Sequence, residues 1–479
     1  MGTASSLFRG ENNMDWRQDP LGSIEPTKVA RRVMQERFRD SGVYRWRNDW
    51  WVWRDNRWLV MDDERLKDLI WVCLEDAVWE KPTRNGVALE RYSPDKQKID
   101  GVARALEALV RIDTEQVPCW IGTPLGDFDP GTTIAFEDVL FNASTGKTMR
   151  RPKNWFDPAV LPVKYDESIK CPRWEQAVAE WGDGDPLWAE LLARWMGYCL
   201  LGTRRYARWM LMYGKIRGGK GTISSVIRKL IGRAAFMSSS LEDLAGEFGM
   251  DGLERSKVLS INEVNEVDSK AGERVCRVLK NIVGQDPMTV NVKHQRQQRN
   301  VIVNAAPMLQ SNEIPVLPNK GRGLSGKMLV LPFEVSFEGK EDLCLEDRLE
   351  AELQGIAMWA AWGARRLLAS EMDKRWPVPA AAQDAVRLYH LQNNPFDSFL
   401  HARFVQRKDG FVANEVVKDQ WEDWLESNRV RLHVPANMLF VRICQESSWG
   451  LRQMRMSESQ GHQRGICGLS LRRNQEDEV

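Results

Sequence analysis

The stretch Gly214-Lys-Ile-Arg-Gly-Gly-Lys220-Gly-Thr222 constrains this chain more than any other. The apolar run Trp209–Tyr213 precedes it and the helix-periodic run Ile223–Ile231 follows it, so the order is strand, glycine loop, helix. In that context bare backbone N–H groups and a helix N-terminus face phosphate oxygens, and the lysine reaches the β and γ oxygens. Glycine is required because side chains would block the approach. Gly214, Gly218, Gly219, Lys220, Gly221 and Thr222 are therefore the candidate nucleotide-binding set, with ATP as ligand. A hydroxyl residue usually follows the lysine and holds Mg2+; here Gly221 takes that place and Thr222 comes one position later.

A chain of 479 residues holds about three domains and a sizeable core. Its 68 basic and 67 acidic residues leave a net charge of +1, so any nucleic-acid surface must be local. The eight cysteines lie far apart with no Cys-x-x-Cys pair, which argues against a zinc site or disulfide framework and for a reduced cytoplasmic setting. No run of about 18 apolar residues is present, so no membrane partner is expected. The 21 tryptophans read as core and hairpin packing more than as base-stacking surfaces.

Taken in order, 1–26 reads as a mobile polar arm and Thr27–Asp40 as a helix. Between Val43 and Asp62, tryptophans alternate with polar residues around Asp55-Asn56, the period-2 signature of a hairpin. Helices are expected at 64–80 and 95–112, short strands over 131–165, and a helical segment from Arg173 to Leu201 broken at Trp181–Pro186.

Beyond the loop, Lys257–Ile261 is a short β-rich run ending in Asn262 and Glu263. An acid at the end of a buried strand is placed to orient or deprotonate a water beside the γ-phosphate, and Glu263 is also a candidate metal ligand with Thr222. Met288–Val292 and Val301–Val303 flank a basic tip carrying Lys293 and His294, a hairpin suited to a phosphate backbone. Asn312, just before Pro315, is an uncharged amide able to bond both the γ-phosphate and the lytic water; the plainer use of such a residue is a turn.

The order of these motifs, closed by the strand Met328–Phe333, resembles the superfamily 3 helicases, specifically the AAA+ module of phage, plasmid and poxvirus primase-helicases. The tryptophan-rich hairpin, Ile134–Gly146, Trp195–Gly202 and the helical stretch Leu345–Gly363 extend the resemblance over residues 27–370. It implies an ATP hydrolase working as a homo-oligomeric, hexameric ring on single-stranded and forked DNA in replication, alongside a primase or polymerase of the replisome. It also implies a catalytic arginine finger supplied by the neighbouring subunit just before the last core strand; Lys327 stands there, and Arg322 is the nearby alternative. The segment before residue 27 is too short for the primase half, so no primer synthesis is expected.

The C-terminal region has amphipathic helices at 415–425 and 436–445, then two strands within 454–471, with a local arginine excess. This order suggests a winged helix. The fold expected is α/β: an AAA+ P-loop ATPase core over 205–336, preceded by an α+β domain at 27–170 and a helical collar at 171–204. A helical lid and linker would occupy 337–394 and a winged-helix-like DNA-binding domain 395–479. Rival readings are an AAA+ replication initiator or loader that remodels DNA without processive unwinding, a P-loop nucleotide kinase, and a DNA-binding scaffold with a dead ATPase site.

Overall fold

The structure is a computed structural model. It describes residues 16–39, 42–47, 49–84, 86–114, 116–246, 249–262, 269–290, 299–315, 317, 324–372, 374–428, 430, 432, 434–435, 438–455 and 463–472. The chain divides into two compact units, one of 1–128 with 137–139 and 149–160, the other comprising the remainder up to 479.

The first unit opens with α1 (Pro26–Arg37), β1 (Val43–Trp46), β2 (Asp49–Arg54), β3 (Arg57–Met61) and α2 (Asp63–Leu74). It continues with β4 (Val78–Thr83), β5 (Gly86–Arg91), α3 (Lys96–Val110), β6 (Arg111–Ile112) and β7 (Cys119–Trp120). The expected hairpin is present between β2 and β3, with Asp55 and Asn56 at positive φ in its turn, and β1 adds a third strand. Trp46, Trp51, Trp53 and Trp58 pack around Phe156, so these rings serve as core.

Two expectations are corrected here. Trp16 and Leu21, in the segment read as a loose arm, are buried against α1 and α2. The helix expected over 64–80 stops at Leu74, because Val78 and Glu80 bond the backbone of Leu21 and β4 pairs with β5. Those partners are distant in sequence and override local helical periodicity.

Short strands β8 (Thr133–Ala135), β9 (Val139–Asn142), β10 (Thr148–Arg150) and β11 (Trp155–Phe156) follow, then α4 (Pro172–Trp181) and α5 (Pro186–Leu200). In the second unit β12 (Trp209–Gly214) runs into α6 (Lys220–Ile231), followed by β13 (Phe236–Ser239), α7 (Leu241–Ala245) and β14 (Val258–Ile261). After α8 (Ser269–Gly284) come β15 (Met288–Val290), β16 (Arg299–Val301), β17 (Ala306–Ser311) and β18 (Met328–Phe333).

The main sheet is five-stranded and parallel, in the order β13-β14-β17-β12-β18. β12, β14, β17 and β18 are largely buried and mostly apolar, as a parallel sheet covered by helices requires, while the edge strand β13 is only partly buried. Gly214, Ser311 and Ile261 all fall at its carboxyl edge, where open α/β sheets bind ligands.

The chain then forms α9 (Leu345–Ala351) and α10 (Leu353–Ala369), with α10 packed along α5. The approach is close: a Cβ on Gly363 would collide with the carbonyl of Ala193, and one on Gly197 with the backbone of Ala364. The C-terminal part comprises α11 (Ala380–Asn393), α12 (Pro395–Arg403), β19 (Phe404–Ala413), α13 (Asn414–Asn428), α14 (Leu439–Glu446), β20 (Arg452–Arg455) and β21 (Arg464–Leu471). Its sheet β19-β21-β20 is antiparallel and shares a core with Phe396, Phe399, Trp421 and Trp424.

Candidate nucleotide-phosphate site

β12 delivers the glycine loop to the carboxyl edge of the sheet, and its outer flank is β18. Gly214 has φ 135°, and a side chain there would strike the carbonyl of Phe333, while the next amide, Lys215 N, donates to that carbonyl at 2.8 Å. Arg217 takes the left-handed turn conformation at φ 55° and lies 3.7 Å from Glu341. The Ser336 hydroxyl and the Phe337 amide donate to the carbonyls of Ile216 and Arg217, so the chain leaving β18 braces the loop from outside. Gly218 is buried beside Phe333, and Gly219 closes the loop at φ 104°. At Gly219 any side chain would run into the indole nitrogen of Trp181, so glycine is required sterically as well as conformationally.

Lys220, Gly221 and Thr222 form the first turn of α6, a twelve-residue helix whose first turn carries no acid. Its free N–H groups and dipole are therefore unopposed and face the loop. The helix is seated by Ile223, Val226, Ile227, Leu230 and Ile231 on its buried side. Lys220 is itself buried, its ammonium donating to the carbonyls of Gly214 at 2.8 Å and Lys215 at 2.7 Å. Burial pulls its pKa down to about 8, since no acid sits beside it to hold the charge. An anion arriving in the loop would supply that missing counter-charge.

Residues 212–323 match a family of unknown function, DUF5906. No curated protein matches the chain. Among solved structures it is similar to the NrS-1 C-terminal region. An A-form apo structure of that region covers 93% of this chain and 100% of its own, at 12% identity and a TM-score of 0.50. A further apo structure of the same region covers 93% and 99%, at 14% identity and a TM-score of 0.49. The first likeness is one of fold, an α/β architecture shared over nearly the whole length.

Next to the loop, the sheet carries polar contacts absent from the sequence reading. Ser224 of α6 lies 3.3 Å from Ser260 of β14 through their hydroxyls. Ser260 donates to Asn262 Oδ1 at 3.0 Å, Gln310 Nε2 donates to the same oxygen at 2.7 Å, and Asn262 Nδ2 donates to Ser238 at 2.9 Å. These residues come from four separate elements, and only the register β13-β14-β17 brings them together. Asn262, at the end of the β-rich run that leads to Glu263, is the member the sequence placed near the site.

Asn312 is exposed and directly follows Ser311, which is level with Tyr213 of β12, so it sits at the loop's edge of the sheet. Glu263 follows Asn262 in sequence but lies outside the described residues, as do Lys293, His294 and Arg322. The strands flanking Lys293 and His294 do pair, Met288 with Val301 and Val290 with Arg299. Lys327 closes a 3-10 turn, Ser325–Lys327, at the amino end of β18.

The residues expected to hold Mg2+ do not make a complete site among those described. Gly221 faces open space, Thr222 is rotated one residue around α6, and Asn262 is engaged at both ends of its amide. No cluster of three or more His, Cys, Asp or Glu with metal-binding geometry occurs among the described residues. Likewise no described helix is long and apolar enough to cross a membrane.

Proposed function

We propose that this chain is an ATP-dependent DNA helicase of the superfamily 3, AAA+ type, a ring-forming motor that translocates on single-stranded DNA during replication of a phage or mobile element. The observation that carries the reading is Lys220, buried with its pKa drawn down to about 8, at the head of an acid-free helix on the carboxyl edge of a parallel sheet, with Asn312 just past the end of the adjoining strand. In this account Lys220 and the α6 amides hold the β and γ phosphates of ATP. Glu263 orients the attacking water and Asn312 reads the γ-phosphate. Lys293 and His294, which fall between β15 and β16 in the sequence, grip the DNA backbone.

The C-terminal part supports a second DNA contact of winged-helix type. Arg455 and Arg464 stand directly opposite each other on β20 and β21 and are exposed, a like-charge pair that an anion would relieve. Arg442, by contrast, is spent on Glu446 at 2.7 Å and on the Phe396 ring.

One observation favours the initiator or loader reading: the neutral, fully engaged Asn262 and the bare Gly221 suit a site that binds nucleotide and turns it over slowly. ATP turnover by the full chain with and without single-stranded DNA, beside Lys220→Ala, tests the proposal. It expects DNA-stimulated phosphate release that Lys220→Ala abolishes; equal turnover in both proteins rejects the site.

A further inference from the structure

The three strands of the C-terminal sheet carry Arg407, Lys408, Arg452, Arg455 and Arg464 against a single acid, Asp409. All five cations are exposed, and none forms an ion pair or a side-chain hydrogen bond among the described residues. Cations on the helices beside them do: Lys418 lies 3.6 Å from Glu422, and Arg442 lies 2.7 Å from Glu446. The sheet thus keeps its charge unneutralised. At its hairpin end Arg455 and Arg464 stand directly opposite each other, an arrangement that costs stability until an anion relieves it.

Side chains alternate across these strands, so the sheet has two faces. Val412 and Ile466, paired with each other, point into the core shared with α12, α13 and α14. The residues on either side of them face away. Phe411, Cys467 and Arg452 form one row across the three strands, and Ala413, Gly465 and Met454 form the next. Phe411 leans over Gly465, where a Cβ would come within 2.5 Å of the ring. It is partly exposed, lies outside the cluster of Phe396, Phe399, Trp421 and Trp424, and makes no ring contact among the described residues. The outer face is therefore low in its middle, where Ala413, Gly465 and Cys467 are small, with an aromatic ring on one side and an arginine on the other.

An aromatic ring without an aromatic neighbour, set among arginines that have no acid, is the composition with which proteins hold unpaired bases. The ring stacks on the base, and the cations meet the phosphates. A duplex keeps its bases stacked inside and offers no such surface. Two strand spacings, about 10 Å, separate Phe411 from Arg452, a gap that an arginine side chain spans to reach the phosphate of a stacked nucleotide.

We propose that the outer face of the β19-β21-β20 sheet binds single-stranded nucleic acid, with Phe411 stacking on a base and Arg452 holding the backbone beside it. The inference deepens the DNA reading of the C-terminal part and rests on it. The helix that a winged helix offers to a duplex, α14, packs on the opposite face through Leu439 and Ile443, so the two contacts are separable.

Fluorescence anisotropy of a labelled oligothymidylate with the full chain, without ATP, tests it on wild type, Phe411→Leu, Phe411→Trp and Arg452→Ser. Stacking on one base predicts that Phe411→Leu weakens binding about tenfold and that Phe411→Trp retains it, while a duplex of equal length binds wild type and Phe411→Leu alike. Arg452→Ser should weaken single-strand binding and make it less dependent on salt. Phe411→Leu keeps an apolar cover on Gly465, so its melting temperature should stay near wild type. Photo-crosslinking of wild type to a single strand carrying 5-iodouracil is a check independent of any variant: the proposal requires a crosslinked peptide containing Phe411, and crosslinks confined to other parts of the chain reject it. Wild-type single-strand affinity in Phe411→Leu overturns the stacking role; if the double variant Arg455→Ser, Arg464→Ser still weakens duplex binding, the DNA reading of the C-terminal part stands. Failure of wild type to bind either DNA removes that reading too. Competition by polyglutamate with no crosslink at Phe411 gives the face to an acidic protein and overturns the proposal.

Discussion

Lys220 and Lys327 stand at opposite ends of one strand pair. β12 and β18 run parallel with Trp209 level with Met328 and Gly214 level with Phe333, so Lys327 enters the sheet where β12 begins and Lys220 follows where it ends. Six residues at about 3.3 Å each separate the two by roughly 20 Å. Lys327 cannot reach a phosphate placed in the glycine loop of its own chain.

Any catalytic contribution from Lys327 must therefore act on a neighbouring copy. ATP turnover should rise with protein concentration, and Lys327→Ala should lower it by about 100-fold or more at saturation. Mixing Lys327→Ala with Lys220→Ala protein should restore part of the activity, because some interfaces then hold both an intact loop and an intact lysine. Turnover per chain that does not vary with concentration, or mixtures no better than their components, would exclude the trans arrangement. Lys327→Arg should keep or raise turnover, since guanidinium holds two phosphate oxygens at once.

The depressed pKa of Lys220 sets a pH dependence for nucleotide binding. The anion binds the protonated amine, and in the free protein that proton leaves near pH 8. Affinity for ATP should fall above this point by up to about tenfold per pH unit, with proton uptake on binding. The free fold behaves oppositely: because the unfolded lysine titrates near 10.5, the unfolded chain holds more protons between about pH 8 and 10.5, and this residue's contribution to stability rises across that window. The stabilisation that ATP confers on melting should shrink between pH 7 and 9. A constant shift would show that Lys220 does not carry the linked proton.

The α5–α10 pair makes a stability prediction independent of chemistry. Gly363→Ala places a methyl against the Ala193 carbonyl, which is backbone and cannot step aside, so the helices must separate. A loss of about 3 kcal/mol or more is expected in denaturant unfolding. Gly339→Ala provides a control: it has open space but a φ of 74°, so only the smaller backbone strain applies.

Much of the core was legible because strand, loop and helix follow one another without interruption: Trp209 to Ile231 announces the element order that β12 and α6 take. The hairpin around Asp55-Asn56 was legible for the same reason, its turn residues and alternating tryptophans being local. The set Ser224, Ser238, Ser260, Asn262 and Gln310 was not, because it exists only once β13, β14 and β17 are in register, and serine and glutamine carry no spacing signal. Trp181 was read only as the edge of a helix break, since its neighbour Gly219 is 38 residues away by the numbering and the contact is tertiary. The β4 strand failed for a related reason: Val78 to Thr83 is fixed by Leu21 and β5, not by its own pattern.

The most direct test of the account is strand displacement from a forked DNA duplex by the full chain with ATP, with Lys220→Ala protein in parallel. The account predicts ATP-dependent release of the displaced strand by wild type, over lengths beyond a single binding footprint, and none by Lys220→Ala. Wild-type protein that hydrolyses ATP and binds the fork yet releases no strand would contradict the helicase reading and leave the initiator or loader in its place.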